Sequence, residues 1–153
     1  MNIFDVHIKN GEVIDGTGAP KFKSDIVIDK GKIIGVFPPE NGDVRDPSEN
    51  HFLSNFKAKH MINAENKIIS PGFIDVHTHD DDNVFLDPSM SSKISQGVTT
   101  CVAGNCGISL APFSYKGEVP APIALLGKSE VFRFPRVSDY KEEFNNKPSS
   151  VNL

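Results

Sequence analysis

The sequence places two histidines where neighbouring side chains of one strand can bind a metal. His77 and His79 flank Thr78 at the end of an apolar segment, residues 73–76. Because side chains alternate along a strand, both imidazoles are expected on one face, and at that spacing they can bind a borderline metal such as zinc. Asp75 shares this face and is predicted to orient the imidazoles by accepting their hydrogen bonds. The alternative is a chance pair, since the chain has five histidines.

A cysteine follows the next apolar segment. Residues 98–103 are apolar and β-branched, as in a parallel strand covered on both faces, and Cys106 lies between Gly104 and Gly107 just after them. Ends of neighbouring strands lie about 5 Å apart, so the thiol is expected near both histidines, where a metal would bind it as thiolate. The alternative is a buried structural cysteine, the interpretation we favour for Cys101 in mid-strand.

The other acidic residues and histidines are not assigned as metal ligands. Asp80 is close enough to contact the site, but its position in the sequence assigns it no role. Asp81 and Asp82 are predicted to form a solvated acidic loop. The remaining histidines are interpreted as ordinary surface or core residues: His7, His51 and His60.

The composition is that of an ordinary globular chain. The 153 residues are 38% hydrophobic and 24% charged, with a net charge of -4. No dense basic cluster indicates nucleic acid as a partner, and no run of about 18 apolar residues indicates a membrane span. The first residues lack the pattern of a secretory signal, and two cysteines are too few for a disulfide framework. We therefore expect a cytoplasmic protein with reduced thiols.

The first 70 residues predict a small antiparallel β part. One hairpin is expected at Asn10 and Gly11 and another at residues 29–31, because both have turn composition. A polar insertion is expected at about residues 38–60, and one more strand at residues 67–69. Two hairpins bury little apolar surface, so this sheet needs a partner.

From Pro71 onward, strands and helices are expected to alternate. A helix is predicted to begin at Asp87, with Pro88 in its first turn, and to end at Gly97. Strand, helix and strand then form a βαβ unit. The expected strands are residues 73–76, 98–103 and the beginning of a third at 149–153, and the expected helices are residues 87–96 and 138–145.

Four segments resemble parts of one enzyme superfamily. Residues 71–79, Pro-Gly-Phe-Ile-Asp-Val-His-Thr-His, resemble the first barrel strand of metal-dependent amidohydrolases. Residues 97–112 narrow the resemblance to the N-acyl-D-amino-acid deacylases, also called D-aminoacylases. Residues 13–18 and 133–140 are similar to that family too. The resemblance therefore spans nearly the whole chain except the insertion.

The resemblance implies a mixed fold and a hydrolase activity. Residues 1–70 would be the β-sandwich part, and residues 71–153 the first βαβ units of an incomplete (β/α)8 TIM barrel. It also implies that His77, His79 and Cys106 are zinc ligands and that the substrate is a small-molecule N-acyl-D-amino acid. The general base in this family is an aspartate of a later strand, so no catalytic residue is assigned within these 153 residues.

A complete (β/α)8 barrel takes about 250 residues, so two strands and the start of a third leave strand edges unpaired. We therefore expect an N-terminal fragment that is inactive alone and that associates with a polypeptide completing the barrel. One alternative is a hydantoinase- or dihydroorotase-like amidohydrolase, in which a carboxylated lysine commonly replaces the cysteine. Another is a non-catalytic, truncated metal-binding fragment.

Overall fold

The computed structural model describes residues 2–37 and 56–153. The chain divides into two compact units, the first ending at Pro71 and the second running from Gly72 to Leu153. Within the described ranges, no helix has the length and apolar character needed to cross a membrane.

The first unit contains a mixed β-sheet. Its strands are β1 (Asn2–Val13), β2 (Phe22–Asp29), β3 (Lys32–Phe37), β4 (Phe56–Asn63) and β5 (Ile68–Ile69). The central strand, β1, pairs antiparallel with β2 but parallel with β4 and β5. The prediction of a purely antiparallel sheet is therefore wrong, because β4 and β5 run parallel to β1 along its other edge. The described strands of this unit form one sheet.

Asn10 and Gly11 do not form the predicted hairpin. β1 continues through them, with a register shift between Ile8 and Gly11 and a φ of 64° at Asn10. A Cβ at Gly11 would overlap the side chain of Ile69, so glycine is needed there for a close approach between strands. A bulge and a tight turn both favour Asn-Gly, and strand pairing selects the bulge here.

The second predicted hairpin is confirmed. Lys30 and Gly31, both with positive φ, join β2 to β3 as a two-residue turn. The predicted strand at residues 67–69 is confirmed by β5. The predicted insertion ends too late, because Phe56–Asn63 already forms β4, and residues 38–55 lie outside the described part of the chain.

Two of the three histidines set aside in the sequence lie in this unit's described strands. His7 is buried in β1, where its Nε2 lies 2.8 Å from Oδ2 of the buried Asp25. His60 is exposed on β4, and His51 lies outside the described residues. Both therefore fit the interpretation as ordinary surface or core residues, His7 in the core and His60 at the surface.

The second unit contains a parallel strand pair connected through helical segments and a short antiparallel pair. Its elements are β6 (Phe73–Thr78), α1 (Asn83–Leu86), α2 (Ser91–Ile94), β7 (Val98–Ala103), β8 (Phe113–Ser114), 3-10 turns at Ile123–Leu126 and Ser129–Val131, β9 (Arg133–Phe134) and α3 (Val137–Asn146). β6 pairs parallel with β7, β8 pairs antiparallel with β9, and Asn152 forms a parallel bridge to Thr100. The predicted strand order and the predicted start of a third strand are confirmed, as is the helix at α3.

Of the helix predicted from Asp87, only the single turn α2 is present, and another single turn, α1, lies before Asp87. Asp87 follows α1, and α2 begins only after Met90, which has a φ of 46°. The carbonyl of Pro88 accepts a hydrogen bond from the Ser150 N–H at 2.8 Å, so it is engaged by a distant segment instead of a helical turn. α2 ends at Ile94, earlier than the predicted end at Gly97, and Gly97, with a φ of 79°, closes the turn that follows by donating to the Ile94 carbonyl.

The strands of this unit are less buried than the sequence predicts. Cys101 faces a cluster that also contains Val84, Met90 and Val151, which confirms it as a structural cysteine. Its neighbour Val102 is 40% exposed. The large apolar residues of β6 are 60–62% exposed: Phe73, Ile74 and Val76. The prediction of strands buried on both faces is therefore wrong for the described unit.

Candidate metal centre

His77, His79 and Cys106 meet at the carboxyl end of the parallel strand pair. One ligand atom from each residue lies within 4.8 Å of the others. The Cys106 Sγ lies 3.7 Å from His79 Nε2, and the two imidazole centroids are 5.5 Å apart. The structure therefore brings together the three residues that the sequence selected as candidate ligands.

The strand end positions the two histidines. His77 lies within β6 and His79 directly follows it. Thr78, between them, is only 6% exposed, whereas His77 is exposed. This alternation leaves both imidazoles on the accessible side and the threonine side chain on the packed side.

A tight turn after β7 positions Cys106. The Gly107 N–H donates to the Gly104 carbonyl at 2.9 Å, and both glycines have positive φ, 74° at Gly104 and 84° at Gly107. The Asn105 amide donates to the carbonyl of Val76 at 2.8 Å, which ties this turn to the histidine strand. Sequence analysis did not identify Asn105 as a functional residue. The only signal for it was its position between Gly104 and Cys106.

Asp75 does not accept hydrogen bonds from the imidazoles, so that prediction is wrong. Its Oδ1 accepts from the backbone N–H of His77 at 3.2 Å, and its Oδ2 accepts from the Lys93 ammonium at 2.6 Å. Lys93, followed by the His77 N–H, holds the pKa of the Asp75 carboxyl below its ordinary value. The carboxylate therefore acts on the backbone of the histidine strand.

Lys93 also reaches two residues that follow Asp75 along the chain, Thr78 and Asp80. Its Nζ lies 2.9 Å from Asp80 Oδ2 and 3.2 Å from Thr78 Oγ1, and the Thr78 hydroxyl donates to Asp80. Burial raises the pKa of Asp80, but the hydrogen bonds from Thr78 and Lys93 outweigh it and lower the pKa overall. The hydrogen bond to Asp75 raises the pKa of Lys93 against the opposing effect of burial. Sequence reasoning missed Lys93, because no local pattern separates it from a solvated lysine.

Asp81 and Asp82 are not a solvated acidic loop, so the prediction is wrong for both. Asp81 is 1% exposed, its Oδ1 accepts from the Leu110 N–H at 3.2 Å, and its Oδ2 has no hydrogen-bond partner within the described ranges. The Asp82 side chain is 13% exposed and lies 3.7 Å from Arg133. Burial raises the pKa of Asp82, although Arg133 opposes this. Packing against later segments buries both carboxylates.

The donor set has the chemistry of a zinc site. Two imidazoles and a thiol are common zinc ligands, and tetrahedral bonds of the usual lengths separate a nitrogen and a sulfur ligand by about 3.6 Å. The observed 3.7 Å between Cys106 Sγ and His79 Nε2 matches that separation. The His79 Nδ1 is buried and has no hydrogen-bond partner among the described groups. The residues present therefore fit the ion.

Comparison with known families now adds to this geometry. The sequence model of the amidohydrolase family matches residues 60–146, which include all three candidate ligands. The chain belongs to the amidohydrolase family. The resemblance inferred from the motifs is confirmed.

Several individual relatives that match this chain are deacylases of N-acyl-D-amino acids. The chain is 38% identical to an N-acyl-D-aspartate deacylase of Alcaligenes xylosoxydans xylosoxydans, over 97% of this chain and 27% of the relative. It is 44% identical to a D-aminoacylase with a binuclear metal centre, with a TM-score of 0.81, over 97% of this chain and 28% of that one. An N-acyl-D-glutamate deacylase from Bordetella bronchiseptica, complexed with zinc and a phosphonate inhibitor, is 37% identical, with a TM-score of 0.81. The match covers 99% of this chain and 28% of that one. The chain thus spans a little over a quarter of these relatives' length.

Proposed function

We propose that this chain supplies His77, His79 and Cys106 as zinc ligands in an enzyme that hydrolyses N-acyl-D-amino acids. The observation that carries the proposal is the thiol 3.7 Å from an imidazole nitrogen at the carboxyl end of two parallel strands. Named relatives of this chain are deacylases of N-acyl-D-aspartate and N-acyl-D-glutamate. Since the chain spans 27% of the first of these relatives, hydrolysis is proposed for the catalytic domain as a whole.

The proposed architecture follows from the strand order. β6, β7 and the residues around Asn152 are parallel neighbours in sequence order, with helical segments between them. This arrangement is typical of consecutive strands in a (β/α)8 barrel, whose active sites lie at the carboxyl ends of the strands. We propose that the second unit is the beginning of such a barrel and that the first unit is part of a β-sandwich.

The chain's own residues would hold the ion and keep it accessible. A zinc ion bound there supplies a Lewis acid that activates water and polarises the substrate's amide carbonyl. Cys106 would bind as thiolate and release its proton, whereas His77 and His79 would bind as neutral imidazoles. His77 and Cys106 are exposed, so the site is open to a small substrate. The matched relatives do not favour a hydantoinase-like reaction.

The decisive experiment joins this chain to a catalytic domain known to be active. The 153 residues replace the matching 27% of the Alcaligenes N-acyl-D-aspartate deacylase. The chimera is loaded with zinc and assayed for release of aspartate from N-acetyl-D-aspartate, with N-acetyl-L-aspartate as the control. We expect hydrolysis selective for the D-enantiomer that disappears on zinc removal.

Matched substitutions locate the activity in the proposed ligands. His77→Ala and Cys106→Ala should each reduce hydrolysis by more than the roughly 10- to 100-fold caused by losing an outer partner of a metal ligand. His60→Ala, an exposed histidine of the first unit, should leave hydrolysis unchanged. A folded chimera with full activity in Cys106→Ala would contradict the proposal, as would a folded, zinc-loaded chimera without activity.

A further inference from the structure

Three side chains around the two histidines converge on one lysine. Asp75 lies two residues before His77, Thr78 lies between the histidines, and Asp80 directly follows His79. The Lys93 Nζ lies 2.6 Å from Asp75 Oδ2, 3.2 Å from Thr78 Oγ1 and 2.9 Å from Asp80 Oδ2.

This cluster is partly buried. The Lys93 side chain is 20% exposed, Asp75 is 29% exposed and Asp80 is 18% exposed. Thr78 is 6% exposed as a residue. Hydrogen bonds between charged groups in such surroundings are shorter and stronger than neutral ones. Without the ammonium, two carboxylates would face each other with no cation between them, so the arrangement depends on Lys93.

The cluster acts on the backbone that carries the imidazoles. Asp75 accepts a hydrogen bond from the His77 backbone N–H through Oδ1 while Lys93 holds its Oδ2. Thr78 is bonded covalently to both histidines. The backbone that carries both imidazoles is therefore held by the neighbouring side chains of Asp75 and Thr78.

Lys93 also connects this segment to the strand that leads to the cysteine. It lies in α2, which packs against β7, and the turn carrying Cys106 follows β7 directly. Movement of α2 relative to β6 would therefore change the distance between the histidines and the thiol. Outer groups that orient metal ligands are known to influence metal affinity strongly.

We propose that Lys93 is a positioning residue that sets the geometry of His77 and His79 relative to Cys106. The proposal rests on the proposed metal-binding function of these three residues. Lys93 does not touch the ion, and its effect passes through Asp75, Thr78 and Asp80.

The test uses Co²⁺ as a spectroscopic probe in the 153-residue chain. A thiolate bound to Co²⁺ produces a charge-transfer band in the near ultraviolet, and the visible bands report the ligand geometry. Lys93→Met keeps the aliphatic side chain and removes the charge. We expect it to weaken Co²⁺ binding by roughly 10- to 100-fold and to change the visible bands at saturation. Lys93→Arg should restore most of the affinity.

Two further variants separate positioning from general folding effects. Lys116→Met, at an exposed lysine of the same unit, should bind Co²⁺ as the unchanged chain does. Thr78→Val leaves all three charges in place and removes the two hydrogen bonds of the hydroxyl, one to Asp80 and one from Lys93, so a smaller loss of affinity is expected. Circular dichroism shows whether Lys93→Met folds. If it does not fold, Thr78→Val becomes the test, and the proposal is overturned if that variant binds Co²⁺ with the visible bands and affinity of the parent.

The outcomes distinguish this inference from the proposed function. If the unchanged chain shows no thiolate band, or if Cys106→Ala leaves the band in place, the metal site itself is refuted. If the band is present and folded Lys93→Met binds Co²⁺ with the affinity and spectrum of the parent, only the role of Lys93 is refuted. A lowered melting temperature with an unchanged spectrum and affinity would show a purely structural role.

Discussion

The Tyr140 hydroxyl donates a 2.6 Å hydrogen bond to the backbone carbonyl of Asp81. This bond joins α3 to the loop that follows His79, across 59 positions of sequence. Burial raises the pKa of Tyr140, and the nearby Asp81 and Asp82 raise it further, so the phenol stays a donor throughout the neutral range. The helix therefore helps to define the path of the chain after the histidines.

Removing this hydroxyl tests the connection. Tyr140→Phe should lower the free energy of unfolding by about 0.5–1.5 kcal/mol, because the Asp81 carbonyl loses its donor while the aromatic packing remains. Urea unfolding followed by circular dichroism measures the loss. Tyr115→Phe, at a tyrosine whose ring stacks on Phe113, is the control and should have a smaller effect. Equal stability of the Tyr140 variant and the parent would show that this hydrogen bond does not contribute to the free energy of unfolding.

The carboxylate of Asp81 makes a second connection that can be tested separately. Asp81→Ala should destabilise the fold by about 1–3 kcal/mol, because the Leu110 N–H loses its acceptor in a buried place. Asp81→Asn retains a carbonyl oxygen in the same position and should lose much less. Comparing the two urea midpoints separates loss of the acceptor from loss of the charge, and an equal loss in both would assign the effect to the charge.

The ion pair between Arg133 and Glu143 predicts a pH dependence of stability. Arg133 donates to Glu143 at 2.8 Å, and this hydrogen bond lowers the pKa of the carboxyl despite its partial burial. Because the folded-state pKa lies below the ordinary value of about 4.3, the stabilisation is complete above that pH and is lost as the pH falls through the folded-state pKa. Glu143→Gln should therefore cost about 0.2–1 kcal/mol at neutral pH, since exposed pairs contribute little.

The same cost should shrink on acidification. Urea midpoints of parent and Glu143→Gln at pH 7 should differ, and at about pH 3 the difference should be smaller. Glu142→Gln, at the exposed neighbouring glutamate, provides the matched control and should show little difference at either pH. A difference that grew toward acid pH would contradict the direction of the pKa shift.

The two cysteines should differ in reactivity and in their response to zinc. Cys101 is 1% exposed and burial raises its thiol pKa, whereas Cys106 is exposed at the proposed metal site. Brief treatment with iodoacetamide should therefore modify Cys106 in the folded chain and spare Cys101. Zinc should protect Cys106, as measured by mass spectrometry of peptides. Unchanged alkylation of Cys106 at saturating zinc would argue against coordination by this thiol.

The two hairpin predictions show why similar local patterns had different outcomes. Lys30 and Gly31 form the predicted turn, whereas Asn10 and Gly11 form a bulge inside one long strand. Both pairs tolerate positive φ, which is the property that the sequence reveals. The bulge was selected by β4 and β5, which pair along β1 on both sides of it. These partners are distant in sequence, so local composition did not indicate them.

The sequence by itself determined the three candidate ligands and the order of the parallel strands. Alternation along a strand placed His77 and His79 together, and a glycine-flanked position after the next strand brought Cys106 to the same edge. These are short-range geometric rules that need no knowledge of distant contacts. The deacylase resemblance was carried separately by the sequence motifs, and the named relatives confirm it.

Only the tertiary structure decided what the neighbouring charged residues do. Asp75 pairs with Lys93 across 18 positions, and Asp81 accepts from Leu110 across 29. In sequence these residues have the composition of a solvated helix or loop. Their burial depends on which later segments pack over them, and a hydrogen bond between distant residues leaves no periodic pattern by which either partner could be recognised.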